Sequence, residues 1–422
     1  MLDRTQPPEI HPIDNLNLPM PTIHQLDNGI KVYASNLGSQ EIIKLEVLYL
    51  AGRPYEHKPL VGRCTNALLK EGSKNYTAAE IAEIMDFYGG TLSTPINLDT
   101  SSVTLYSLTK HFDKLLPVFA DVLHHPLFPQ SELDAFRERN IQRLQIDLAQ
   151  NDVVAYRDFT EYVYGSDHPY GYNSSETYYR EITRADIVKH YKECFHANNC
   201  YVFISGMIDD RCIELLNGYL GQQKSELPKK VYKMAVPVAE PIHKKMKVQG
   251  GVQVAVRIGR RLFDRSHPDF TGMYIVNTIL GGYFSSRLMN NIREDKGYTY
   301  NIFSTLDMML HDGYFYIGTE LGAEFEKPAL QEIYKEIELL KTTLVDQEEL
   351  TMVINYSLGL LMNSVDGAFN VSEVLKTLIL EELPITFFDK MIQEVKSITP
   401  EKIQALAVKY LDKKDLYEVI VT

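Results

Sequence analysis

The two halves of this chain end alike, and that repeat constrains the fold more than any other feature. Residues 182–203 read ITRADIVKHYKECFHANNCYVF, and residues 398–419 read ITPEKIQALAVKYLDKKDLYEV. Thr183 and Thr399, Ile187 and Ile403, and Tyr201 and Tyr417 are each separated by 216 positions. Each copy reads as a Thr N-cap, a helix of about three turns, a short polar turn and an apolar strand. FPQSEL (128–133) and VDQEEL (345–350) repeat at nearly the same shift, each before a long helix and each with an N-cap candidate, Ser131 and Asp346. Two matches at nearly one offset imply a duplicated unit. At 422 residues the chain is too long for one ordinary core. The expected division is an N-terminal extension over 1–20, a first domain over 21–220, a linker over 221–242 rich in Gln, Lys and Pro, and a second domain over 243–422.

In the first half, 30–36 and 43–50 alternate in polarity as paired strands, and a third strand covers 102–109. Helices are expected at about 60–70, from the Thr77–Glu80 capping box to Gly89, and over 111–124, 131–150 and 153–163. The second half repeats the theme, with strands at 252–258, 298–306 and 313–320 and helices after Pro268 and over 326–342 and 347–361. The βαβ rhythm of a parallel sheet is missing. The fold class is therefore α+β, two duplicated domains, each a mainly antiparallel sheet backed by helices.

The net charge is −13, from 43 basic and 56 acidic groups, which argues against a nucleic-acid binder. The longest apolar runs fall short of the roughly 18 residues that span a bilayer, and the polar, Pro-rich N-terminus lacks a signal-peptide apolar core. The expected compartment is the cytoplasm, and Cys64, Cys194, Cys200 and Cys212 read as reduced thiols.

With this layout the chain resembles the pitrilysin/insulinase type of zinc metallopeptidase, in particular its mitochondrial-processing-peptidase-like branch. The resemblance runs from LDNGIKVYAS at 26–35 to the last strand. It implies that two such chains close over a peptide as a clamshell. It also implies a zinc site in the first half, from H-x-x-E-H on a helix and a downstream Glu. PLVGRCTNALLKEGS (59–73) aligns with that motif and puts Arg63 and Ala67 at the histidines and Asn66 at the catalytic Glu; the third-ligand position falls on Gln145. Neither imidazole nor carboxylate is present, so no zinc is expected on this chain. Pro95, in TLSTPIN (91–97), stands where an edge strand would bond a peptide, and it offers no N–H. The second half keeps the family's other signature, LGGYFSSRLMNNIREDKGYTYNIFS (280–304), with Arg293 near the end of a helix and Tyr300 on the strand that follows. By resemblance, the Arg293 guanidinium holds a substrate carbonyl and the Tyr300 phenol donates to the oxyanion, in the zinc site of a partner.

His190 and Cys194, at i and i+4 with His196 and Cys200 nearby, imitate a metal helix. The second copy of that helix has Leu406 and Tyr410 in their places, so a buried His and a small buried thiol are the plainer reading. The expectation is a non-catalytic subunit, inactive alone, that pairs with a zinc-bearing relative and binds a peptide. The rival is a peptide- or protein-binding scaffold with no role in proteolysis.

Overall fold

The computed structural model describes residues 16–233, 240–248 and 253–422. Most of the expected N-terminal extension and the middle of the expected linker, 234–239, lie outside the described residues. In the first half, Thr22–Gln25 (β1), Lys31–Asn36 (β2), Ile42–Tyr49 (β3), Thr91–Ser93 (β4), Ser101–Leu108 (β5) and Cys200–Gly206 (β6) form a sheet in the order β1-β2-β6-β3-β5-β4. In the second, His243–Met246 (β7), Val254–Arg261 (β8), Ile302–Met308 (β9), Gly313–Leu321 (β10) and Tyr417–Val421 (β11) form the order β7-β11-β8-β10-β9. The duplication is visible in these orders. Each half has one parallel pair, β2 with β6 and β7 with β11, and otherwise antiparallel neighbours.

The repeated helices run over Arg184–Cys194 and Pro400–Tyr410, and Thr183 and Thr399 both cap them by accepting the N–H of the third residue on. Two local expectations are corrected. The strands at 30–36 and 43–50 do not pair with each other, because β6 inserts between them. Val202 and Ile204 bring a fully apolar face to the centre of the sheet, whereas the alternation of the two flanking segments is a local signal that does not name a partner. Ser131 is not an N-cap: the helix begins at Gln130 behind Pro129, and the residue matching Asp346 is Pro129. Asp346 does cap its helix, accepting from Glu349 N at 2.8 Å. Helices over Asp210–Leu220, Gly367–Leu380 and Phe387–Ser397 went unread in the sequence. None of the described helices is long and apolar enough to cross a membrane.

One face of each sheet carries its own helices; the other is covered by a helix lent from the opposite half. Along β3, Ile43, Leu45 and Val47 enter the first core with Leu115, Leu116 and Phe119, as alternation requires. The opposite face, with Lys44 and Glu46, meets the Gly367–Leu380 helix. Reciprocally, the Asn151–Tyr164 helix of the first half packs on β8 and β11, burying Ala155, Phe159 and Val163 against Tyr314, Tyr316 and Val419. The N-terminal Leu18 reaches across into the second core.

Lys44, Glu46, Glu373 and Lys376 pair with one another between the halves. Lys376 reaches both Glu46 oxygens at 3.0 and 3.1 Å, Lys44 lies 3.3 Å from Glu46, and Glu373 pairs with both lysines. Lys376→Ala is expected to destabilise the chain by about 1–3 kcal/mol, because Glu46 stays buried with Lys44 as its remaining cation. Urea unfolding checks this; an unchanged midpoint would show that the pairing contributes nothing.

Candidate functional site

The helix that aligns with the zinc motif spans Val61–Leu68. Its N-terminus is closed by Glu56, which accepts from Leu60 N at 3.2 Å and Gly62 N at 2.8 Å, and Tyr172 donates to the same carboxylate at 2.7 Å. Burial raises the Glu56 carboxyl against these donors. Glu56 was missed in the sequence because it lies before the helix and not in the motif. It anchors the helix start.

The four motif positions have other occupations. Arg63 is exposed and donates to Asn140 Oδ1 at 3.2 Å. Asn66 is fully buried and donates from Nδ2 to the carbonyls of Thr94 at 2.6 Å and Pro95 at 3.0 Å. Ala67 has no ligating atom, and Gln145 is exposed on the Gln130–Asp147 helix. A guanidinium, a methyl group and two neutral carboxamides, one held by its nitrogen on backbone carbonyls with its oxygen buried and unpartnered among the described residues, do not fit a divalent cation. Among the described residues there is also no group of three His, Cys, Asp or Glu side chains that could hold one.

The adjoining sheet edge is short. β4 is three residues long, and beyond it the chain folds back on itself. Pro95 O accepts from Asn66 Nδ2 and from Ser102 N at 2.9 Å, Ile96 bridges to Ser101, and Asn97 Oδ1 accepts from Asp99 N and Thr100 N. Pro95 offers no N–H to an incoming peptide, and β4 gives it an edge only three residues long.

The metal-like helix at 190–194 is core. His190 and Cys194 are fully buried, with His190 Nε2 3.0 Å from Ala51 O and Cys194 Sγ 3.8 Å from His190 Nδ1. Desolvation pushes the imidazole down to about 4 and the thiol up to about 12, so the thiolate a metal needs is disfavoured. All four cysteines are free thiols.

The second-half signature is built differently. Gly281, at the end of the Phe270–Gly281 helix, packs so tightly under Ser304 of β9 that a Cβ would sit 2.5 Å from the Ser304 nitrogen. Arg287 of F-S-S-R-L makes a two-bond pair with Glu349 at 2.8 and 2.6 Å and fixes the loop to the Gln347–Asn363 helix. Met289–Asp295 is wound as a π-helix, a form concentrated at functional sites, and Gly297, with φ +66°, ends it. Arg293 lies in its last turn with its guanidinium 4.8 Å from the Phe284 ring centre and 3.5 Å from Glu294. Tyr300 sits on a bend two residues before β9, not on the strand itself. Its neighbours are pinned: Thr299 Oγ1 donates to Glu320 O at 2.5 Å, and Asn301 O accepts from Thr319 Oγ1 at 2.9 Å. From that fixed base the Tyr300 side chain stands 90% exposed, and Phe284 is 62% exposed.

Residues 61–158 match the family described as "Insulinase (Peptidase family M16)", and residues 181–356 match "Peptidase M16 inactive domain". The chain belongs to the M16 insulinase family. This M16 chain is 23% identical over 390 residues to the "Uncharacterized zinc protease YmxG" of Bacillus subtilis, covering 90% of the chain and 93% of that relative. It is 21% identical to the "Non-peptidase homolog YmxG" of Helicobacter pylori, over 84% of the chain and 82% of the relative. The crystal structure of a "peptidase M16 inactive domain" from Pseudomonas fluorescens superposes with a TM-score of 0.86 at 21% identity, covering 95% of this chain and 98% of that one. The two-sheet α+β architecture is thus the M16 architecture.

Proposed function

We propose that this M16 chain is the non-catalytic subunit of a heterodimeric zinc peptidase, cytoplasmic, that lends Arg293 and Tyr300 to a zinc-bearing relative. The observation that carries the reading is an asymmetry. Arg63 and Asn66 on the motif helix of the first half are taken up in structural bonds, while the second half holds an exposed phenol on a pinned backbone and, seven residues earlier in the chain, a guanidinium against an exposed ring. An isolated phenol in solvent contributes nothing to the stability of its own chain; presented to a partner's active site, it is a ready oxyanion donor, and Arg293 a carbonyl clamp. The zinc and the water-activating carboxylate belong, in this reading, to the partner.

Coexpression with a relative carrying H-x-x-E-H is expected to yield hydrolysis of unfolded peptides. Arg293→Ala or Tyr300→Phe is then expected to lower kcat at least about tenfold, since one oxyanion donor is worth about 3 kcal/mol. Full turnover in both variants would remove the assigned roles. A scaffold that binds peptide without hydrolysis is the second reading, favoured by the relative named as a non-peptidase; it predicts binding but no turnover with any zinc-bearing partner.

A further inference from the structure

The turn between β9 and β10 belongs to the second half but is seated in the first. Met309 N donates to Asp312 O at 2.9 Å and closes the turn, and Leu310 packs against the core of the first half. Leu310 N donates to the buried Asp99 at 2.9 Å, and the Tyr170 hydroxyl holds the other oxygen of that carboxylate. The Tyr164 hydroxyl donates to Gly313 O at 3.1 Å, and His311 Nε2 lies 3.0 Å from the Tyr55 hydroxyl. Tyr232, from the segment that joins the halves, closes the cluster. Its ring centre lies 4.9 Å from that of His311, and its hydroxyl lies 3.0 Å from His168 Nε2. His168 is 1% exposed, and its Nδ1 accepts from Tyr170 N at 3.1 Å.

Nδ1 gives its lone pair to a backbone N–H, so the neutral ring carries its hydrogen on Nε2 and donates it to Tyr232. A second proton has only Nδ1 to occupy, where it meets the Tyr170 N–H. The charged ring has then to turn away, which leaves a buried N–H without its acceptor and frees Tyr232. Around the ring stand Tyr164 at 5.2 Å, Tyr170 at 5.4 Å and Tyr232 at 6.4 Å, all neutral phenols near pH 7. The charges acting on it are Asp312 and Arg261, which pair with each other at 2.7 Å. Burial lowers the His168 imidazole from its ordinary value, with Asp312 opposing and Arg261 assisting. His311 differs. The Tyr55 hydroxyl can accept as well as donate, and Asp99, Asp264 and Asp312 act on the ring, so a second proton there leaves its bond in place. We propose that the 309–312 turn is an acid-sensitive latch between the halves, shut by neutral His168 and released when that ring takes a second proton. Release loosens Tyr170, and with it the Asp99 carboxylate that holds Leu310. None of these residues belongs to the proposed peptidase role, so the two ideas stand or fall separately.

Amide exchange of the full chain tests the latch between about pH 8 and about pH 5, read by mass spectrometry over 168–172 and 309–313 and corrected for the intrinsic effect of pH. A lowered imidazole means that the shut form binds fewer protons than the open one. The latch is therefore fully held above the ordinary imidazole value of about 6.5 and gives way as pH falls below it. In the wild type, corrected exchange of both segments is expected to be level above that value and to rise below it by up to about tenfold per pH unit. His168→Asn keeps an acceptor for the N–H two residues on and cannot take a proton, so its profile is expected to stay level. His311→Gln is expected to rise like the wild type. A level wild-type profile, an equal rise in His168→Asn, or loss of the rise in His311→Gln would overturn the proposal, and the first of these needs no variant to fold.

Discussion

Asn66→Asp is expected to destabilise the chain by about 3–5 kcal/mol at neutral pH, although it changes the side chain by one group. Asn66 is fully buried, and its amide nitrogen is shared between the carbonyls of Thr94 and Pro95. Aspartate puts a carboxylate oxygen against two carbonyl oxygens, with no donor in place of the lost N–H. The substituted carboxyl is therefore held above its ordinary value in the folded state. Below the ordinary aspartate pKa of about 3.9 the group is protonated in both states, and the penalty is smallest. As pH rises past that value the unfolded chain releases the proton while the folded chain keeps it, so stability falls by up to about 1.4 kcal/mol per pH unit. The fall stops once pH exceeds the folded-state pKa. Urea midpoints of both proteins from acid to neutral pH should show a gap that widens with pH; a gap that stays constant would mean that charge is not the cause. The same geometry implies that restoring the family's glutamate at position 66 strains the fold before it yields an enzyme.

Phe159→Ala is expected to cost about 3–5 kcal/mol. Phe159 is fully buried on the helix lent by the first half, with its ring centre 5.7 Å from Tyr316 and 6.0 Å from Tyr314 on the second sheet. Truncation loses the transfer free energy of the ring and leaves a void between two rigid layers that belong to different halves. Thermal or urea unfolding measures the loss. Phe284→Ala, at the exposed signature loop, is the comparison, expected to shift stability by no more than about 0.5 kcal/mol. A cost below about 1 kcal/mol for Phe159→Ala would show that the lent helix does not hold the halves together.

Much of the fold was legible because its signals are local. Thr183 and Thr399 announce their helices by capping chemistry, and 313–321 announces a buried strand by its run of apolar residues. The pairing of 30–36 with 43–50 was misjudged because β6, whose parallel partnership with β2 joins residues far apart in the chain, lies between them, and no local pattern encodes that. The candidate site divides in the same way. That Arg63, Asn66, Ala67 and Gln145 are unsuited to zinc is a matter of functional groups and could be read directly. That Asn66 serves the 94–95 carbonyls, that Arg287 is tied to Glu349, and that Glu56 closes the motif helix depended on neighbours brought in by folding.

The sequence by itself determined the duplication, the α+β class and the chemistry that each motif position lacks, because periodicity, caps and functional groups are carried residue by residue. Only the tertiary structure decided that each half shields the other's sheet with a borrowed helix and that Tyr300 stands in solvent on a pinned bend. Exposure, and the sharing of charge between distant segments, are properties of packing, and packing is settled only when both halves are in place.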